Sequence, residues 1–238
     1  RDRRRKIGDR KLNMRILPSS VFRLRSSKTS TMKHLLLIIS FLFAALCVSA
    51  QSGSSVKQST KEFRQHYKEK FLKNERSPFY DKADALKYLR FFKAKSKYKV
   101  NGTFHRTPDE KPFEMATYSG DLKPYVKFGV VSFTLNGTKH HLAIYQNLTY
   151  KKIDPNHLFL PFKDATSNKK TYGGGRYLDL KMTDIVGNKM TLDFNQAYNP
   201  WCAFSGGYSC PVPPKENHLP VAIKAGEKKY AKKSNKKK

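Results

Sequence analysis

The chain has 238 residues, of which 48 are Lys or Arg and 18 are Asp or Glu, giving a net charge of +30. A surplus of that size draws a protein toward anionic polymers and membrane surfaces through long-range attraction. It does not make a specific nucleic-acid reader: beyond residue 50 lysines greatly outnumber arginines, and no nucleic-acid motif is visible.

The chain opens on Arg1, and eleven of its first 31 residues are basic without apolar periodicity, so residues 1–31 read as translation upstream of the true start. Met32 is favoured over Met14 as that start. Lys33 and His34 then form a basic head, Leu35 to Cys47 an apolar run, and Val48-Ser49-Ala50 a small-residue cleavage site, the layout of a secretory signal over residues 32–50. The run is shorter than the roughly 20 apolar residues that span a bilayer. Leu46 ahead of Cys47 places a bulky residue where a lipoprotein site takes Gly or Ala. The expected product is a soluble periplasmic or secreted monomer beginning near Gln51, with no transmembrane segment. It has 188 residues, one domain in length.

Residues 51–58 read as a flexible leader. Ser59 and Glu62 form a capping-box pattern, and Phe63, Tyr67 and Phe71 recur every four residues, which predicts an amphipathic helix from Thr60 to Asn74. Ser77-Pro78 separates it from a second short helix after Asp81 that carries Ala85, Leu86 and Leu89. From Tyr98 the period changes to two. Strands are predicted at Lys99–His105, Phe113–Tyr118, His157–Phe162, Arg176–Met182, Lys189–Asn195 and Val221–Lys224, with a hairpin turning at Asn136-Gly137 between Val131–Leu135 and a strand carrying Leu142 and Ile144. This pattern predicts a mainly β, α+β domain over residues 59–227: an antiparallel β-sandwich or partly open barrel with one or two N-terminal helices. Lys228 to Lys238, with seven lysines in eleven residues, reads as a disordered tail. Three Asn-x-Thr sequons at Asn101, Asn136 and Asn147 are not read as glycan sites, two being Asn-Gly turns.

Cys202 and Cys210 flank Gly206-Gly207, and an even cysteine count in an exported chain favours a disulfide between them. Seven intervening residues are too many for a thioredoxin-like pair, and a zinc site has only His218 nearby. Alternation places Thr191, Asp193 and Asn195 on one face, with Tyr177 and Asp179 outward on the preceding strand. Arg176, preceded by Gly173-Gly174-Gly175, could then meet an anion, although a bulged turn explains three glycines as well. Asp193 and Glu216 with Arg176 supply the residue types of acid–base catalysis, but no nucleophile elbow or His-Glu-x-x-His motif accompanies them. Glu216 and Glu227 could equally pair with Arg176 or lysines for structure, and Trp201 could be a packing anchor or a platform for a sugar ring. His140 and His141 fall on opposite faces. Asp164, Asp193, Asn195 and Asn199 lack calcium-loop spacing. Neither metal nor cofactor is expected.

The segments TYGGGRY, DFNQAYNP, the Cys pair, PPKEN and AGEK follow one another in the order seen in a bacterial family known as domain of unknown function 1684, which the chain resembles from about Ser77 to Lys228. The resemblance places Asp164, Thr171, Tyr172, Arg176, Asp193, Asn195, Tyr198, Asn199, Glu216 and Asn217 in the family pattern and implies no established activity. The expectation is a non-enzymatic domain that binds an anionic or polyhydroxylated envelope component, a polymer or glycan, around Arg176 and Asp193. The alternative is an envelope hydrolase that uses Asp193, Glu216 and Arg176.

Overall fold

A computed structural model of the chain describes residues 55–231. The upstream segment, the signal, residues 51–54 of the leader and the tail beyond residue 231 lie outside the described residues.

The first element is a helix, α1, over 55–73. It begins before Ser59, so the capping box is not used: the Ser59 and Thr60 hydroxyls instead donate back to the Val56 carbonyl inside the helix. The apolar stripe behaves as its spacing predicts. Tyr67 and Phe71 are buried and pack with Phe79, Leu89 and Phe204. Beyond 73 the chain turns at Asn74, whose side chain accepts from the Arg76 amide, and Ser77 accepts from Phe79 N. The second predicted helix is a single 3-10 segment, Ala83–Tyr88, entered through Asp81 at φ 52°.

Eight strands follow: β1 Lys99–Arg106, β2 Phe113–Ala116, β3 Leu122–Leu135, β4 Thr138–Asn147, β5 His157–Phe162, β6 Arg176–Lys181, β7 Ile185–Val186 and β8 Lys189–Asp193. They form one antiparallel sheet in the order β6-β5-β4-β3-β1-β8-β7, with β2 on β3. The β3–β4 hairpin turns at Asn136 (φ 52°) and Gly137 (φ 79°), both left-handed as a type I′ turn demands. Val221–Lys224 is not a strand: its Val221 carbonyl accepts from Ala165 N of a loop and its Ile223 carbonyl from the Arg176 guanidinium, so it forms no ladder with a neighbouring strand.

Among the described residues there is no second sheet, so the sandwich is not formed. Leu178 and Leu180 of β6 share a buried cluster with Met190 and Leu192 of β8, strands near opposite edges of the sheet. The sheet therefore curls around its own core without closing, as a mainly antiparallel, partly open α+β fold. Its other face is covered as well in the middle: Tyr125, Tyr145, Phe159 and Tyr177 form a second cluster. Tyr177, expected outward, is only 5% exposed for this reason. Strands β5 and β6 accordingly show long buried runs rather than strict alternation.

Candidate functional site

Arg176 enters β6 after a turn in which Gly175 has φ +93° and a Cβ would stand 2.6 Å from the Phe162 carbonyl, so the turn requires glycine on two counts. The guanidinium that follows does not meet solvent. Its side chain is 1% exposed and ion-paired at 3.2 Å with Asp164, itself 1% exposed. Arg176 also donates to the Ala225 carbonyl and, at 3.1 Å, to that of Ile223, and lies over the Phe162 ring. Asp164 accepts in addition from Ile223 N at 2.7 Å and from the Thr166 hydroxyl, which bonds Thr171. Burial pulls the guanidinium pKa down while Asp164 opposes it. Asp164, Thr171 and Arg176 are thus one closed, hydrogen-bonded knot that pins the C-terminal segment to the sheet. The expected ligand site there is not formed.

Asp193 is elsewhere. Its carboxylate accepts from the Asn195 amide and side chain and from Gln196, capping the 3-10 turn Phe194–Gln196. Asn195, buried in that turn rather than outward beside Asp193, exchanges two 3.0 Å hydrogen bonds with the Lys95 backbone. Glu216 accepts from Tyr145 at 2.6 Å and pairs with Lys127 at 3.0 Å, while the neighbouring Asn217 is buried against β4 and β5. Asn199 donates its side chain to the Lys228 carbonyl. Asp193, Glu216 and Arg176 each hold different partners, so the hydrolase constellation does not assemble. The oxygen-bearing residues Asp164, Asp193, Asn195 and Asn199 are likewise divided among these places, and among the described residues no group of three His, Cys, Asp or Glu side chains gathers as metal ligands.

The cysteines also differ from expectation. Both are free thiols, because the 3-10 turn Trp201–Ala203 aims the Cys202 thiol at the Tyr208 carbonyl, 3.0 Å away, while Cys210 Sγ accepts from Cys202 N. Burial, then Cys202, pushes the Cys210 thiol up to about 12, so it is a poor nucleophile. Tyr172 lies edge-on to Tyr118, its hydroxyl directed at the Cys202 carbonyl.

What the fold does open is a cleft of about 800 Å³ between α1, the second face of the sheet and the 200–211 loop. Aromatic rings line it, among them Tyr198, Trp201 and Tyr208. Tyr198 is held by two backbone bonds to Tyr177 that extend the β6 edge. Its hydroxyl donates to Asp179 Oδ1 at 2.9 Å, and His157 Nε2 lies 3.2 Å from the same oxygen. Burial and then Asp179 hold the Tyr198 phenol well above its ordinary pKa, so it remains a donor. Asp179 is 47% exposed, and no protein group among the described residues bonds its Oδ2. His157 Nδ1 is buried, so the pair offers the cleft a carboxylate oxygen but no free imidazole nitrogen, which weighs against acid–base chemistry.

Three cations, Lys70, Arg76 and Lys123, also line the cleft, and none has a carboxylate within ion-pair distance among the described residues. Of the residues singled out from sequence as candidate ligand-binding positions, Tyr198 lines this cleft, as does Trp201, the suggested sugar platform. Asp179 was legible only as an outward position on its strand. His157 and the three cations carried no local signal, since they converge from four separate segments.

No curated protein matches the chain. A solved structure, the solution NMR structure of an uncharacterised protein of Haloarcula marismortui, is similar at 28% sequence identity with a TM-score of 0.55, over 72% of this chain and 97% of that one. Among the described residues no helix is long and apolar enough to cross a membrane. The family described as "Protein of unknown function (DUF1684)" matches residues 84–228, well over half of the sequence, and the chain belongs to that family.

Proposed function

We propose that the protein is a non-enzymatic binding domain, exported through the signal-like segment at residues 32–50, that holds an anionic or polyhydroxylated envelope component in the aromatic cleft. One observation carries this reading: the cleft is an opening of small-ligand size, walled by rings and supplied with few, directed polar groups. Ring faces suit the C–H faces of a sugar, and a half-exposed carboxylate oxygen suits a hydroxyl. The acid–base alternative has lost its constellation, because Arg176 is buried in the knot.

Trp201 is the sole tryptophan of the chain, so its fluorescence reports on the cleft alone. Titration with soluble neutral and acidic oligosaccharides should shift its emission saturably, and Tyr208→Ala, which removes the ring packed edge-on against it, should weaken the response about tenfold. If no oligosaccharide moves the emission of correctly folded protein, the binding reading is wrong.

A further inference from the structure

The charges lining the cleft narrow its occupant. Lys70 projects from α1, Arg76 from the turn after it and Lys123 from β3, so the three cations reach the cleft from separate segments. Lys123 donates to the Ser209 carbonyl, and Lys70 and Arg76 are exposed. Against them stands one carboxylate, Asp179, fixed by Tyr198 and His157. Each simple ligand class satisfies only part of this set. A lipid chain would cover the rings and leave both signs of charge unmatched. A neutral sugar would use the rings and Asp179 but leave three cations without a counter-charge. A polyphosphate would use the cations but set its oxygens against Asp179, an acceptor with nothing to accept.

We propose, resting on the binding reading above, that the cleft recognises an acidic saccharide, a short chain of carboxylated sugar units. Ring faces stack on Trp201 and Tyr208, a sugar hydroxyl donates to Asp179 Oδ2, and the sugar carboxylates are met by Lys70 and Arg76. The cleft's volume lies within the roughly 300–1,000 Å³ of small-ligand sites, which accommodates an oligosaccharide of a few units rather than a long chain.

The test uses three probes on the full chain, read by Trp201 fluorescence and calorimetry at physiological ionic strength: tri-galacturonate, its neutral methyl ester and inorganic tripolyphosphate. The expected result is that the acid binds at least about tenfold more tightly than the ester, a difference worth about 1.4 kcal/mol. In K70Q/R76Q, two exposed positions whose replacement should leave the melting temperature unchanged, the acid should fall to the level of the ester while the ester is unaffected. Asp179→Ala should weaken acid and ester alike, since both present hydroxyls. Equal binding of acid and ester overturns the acidic-saccharide assignment and leaves the cleft a sugar site. Tripolyphosphate binding as tightly as the acid overturns it in favour of general attraction to anions. A silent Trp201 with all three overturns it too, and the wider oligosaccharide titration then decides whether the binding reading falls with it.

Discussion

Arg176 and Asp164 show how much a single buried pair can organise. The guanidinium reaches a carboxylate twelve positions earlier and carbonyls some fifty positions later, joining β6, the 164–171 loop and the C-terminal segment. Removing one member leaves the other charged and uncompensated in a dry interior. Arg176→Met or Asp164→Asn should therefore cost about 3–5 kcal/mol in urea unfolding. Replacing both by apolar residues should recover a large part of that loss. Losses below about 1 kcal/mol for either single variant would mean that the knot is not closed in solution. The sequence marked both residues as special but could not pair them. Alternation assigns a side chain to a face and says nothing of which loop crosses that face, so Arg176 was grouped with Asp193 on the next long predicted strand, although Asp164 is nearer along the chain.

At the level of elements, Asn217 does what a strand would otherwise do. Strands β4 and β5 share the single registered pair Tyr145–Phe159, and the Asn217 side chain fills the gap. Its Oδ1 accepts from Ala143 N, and its Nδ2 donates to the Ala143 and Pro161 carbonyls, all at 2.8 Å. Asn217→Ala would strand three buried backbone groups and should cost about 3 kcal/mol or more. Amide exchange at Ala143 should accelerate sharply while that in β1 and β8 changes little. Unaltered protection at Ala143 would show that water replaces the amide. The regular elements were the legible ones: the β3–β4 hairpin, β5 and the apolar stripe of α1 all follow from period and turn chemistry. The two-residue β7 was missed, since so short a strand has no period to read. The choice between a partly open barrel and a sandwich was left undecided, because a sheet that curls upon itself and a sandwich of two sheets share the same alternation. The cleft lies still further from the sequence, being the space left where α1 and the 200–211 loop fail to cover the second face completely.

Across the whole molecule, the Glu227 carboxyl is the point where the docking of α1 meets the core. It is fully buried, accepts from the Tyr67 hydroxyl of α1 at 2.9 Å and from Asn199 N at 2.8 Å, and lies near the Arg176 guanidinium. Two buried acceptors, Glu227 Oε1 and Asn199 Oδ1, have no hydrogen-bond partner among the described residues, and a proton on the carboxyl would turn Glu227 Oε1 into a donor. Desolvation dominates over the opposing hydrogen bonds and Arg176, and raises Glu227 from 4.5 to about 8. The folded state therefore holds a proton that the unfolded chain releases between about pH 4.5 and 8. The resulting stability is complete below the unfolded value and is lost as pH rises through the folded one. Over that window the loss is on the order of several kcal/mol, at about 1.4 kcal/mol per tenfold change in proton affinity. The melting temperature should accordingly fall steadily from pH 5 to pH 9. Glu227→Gln keeps an acceptor for Tyr67 and Asn199 without the titration, so its melting temperature should be nearly flat over the same range and should exceed that of the parent protein at pH 9. Because Tyr67 also lines the cleft, binding by the parent protein should weaken over the same interval while binding by E227Q holds. Parallel melting curves for the two proteins from pH 5 to pH 9 would show that Glu227 is ionised throughout and that another group sets the stability of the α1 contact.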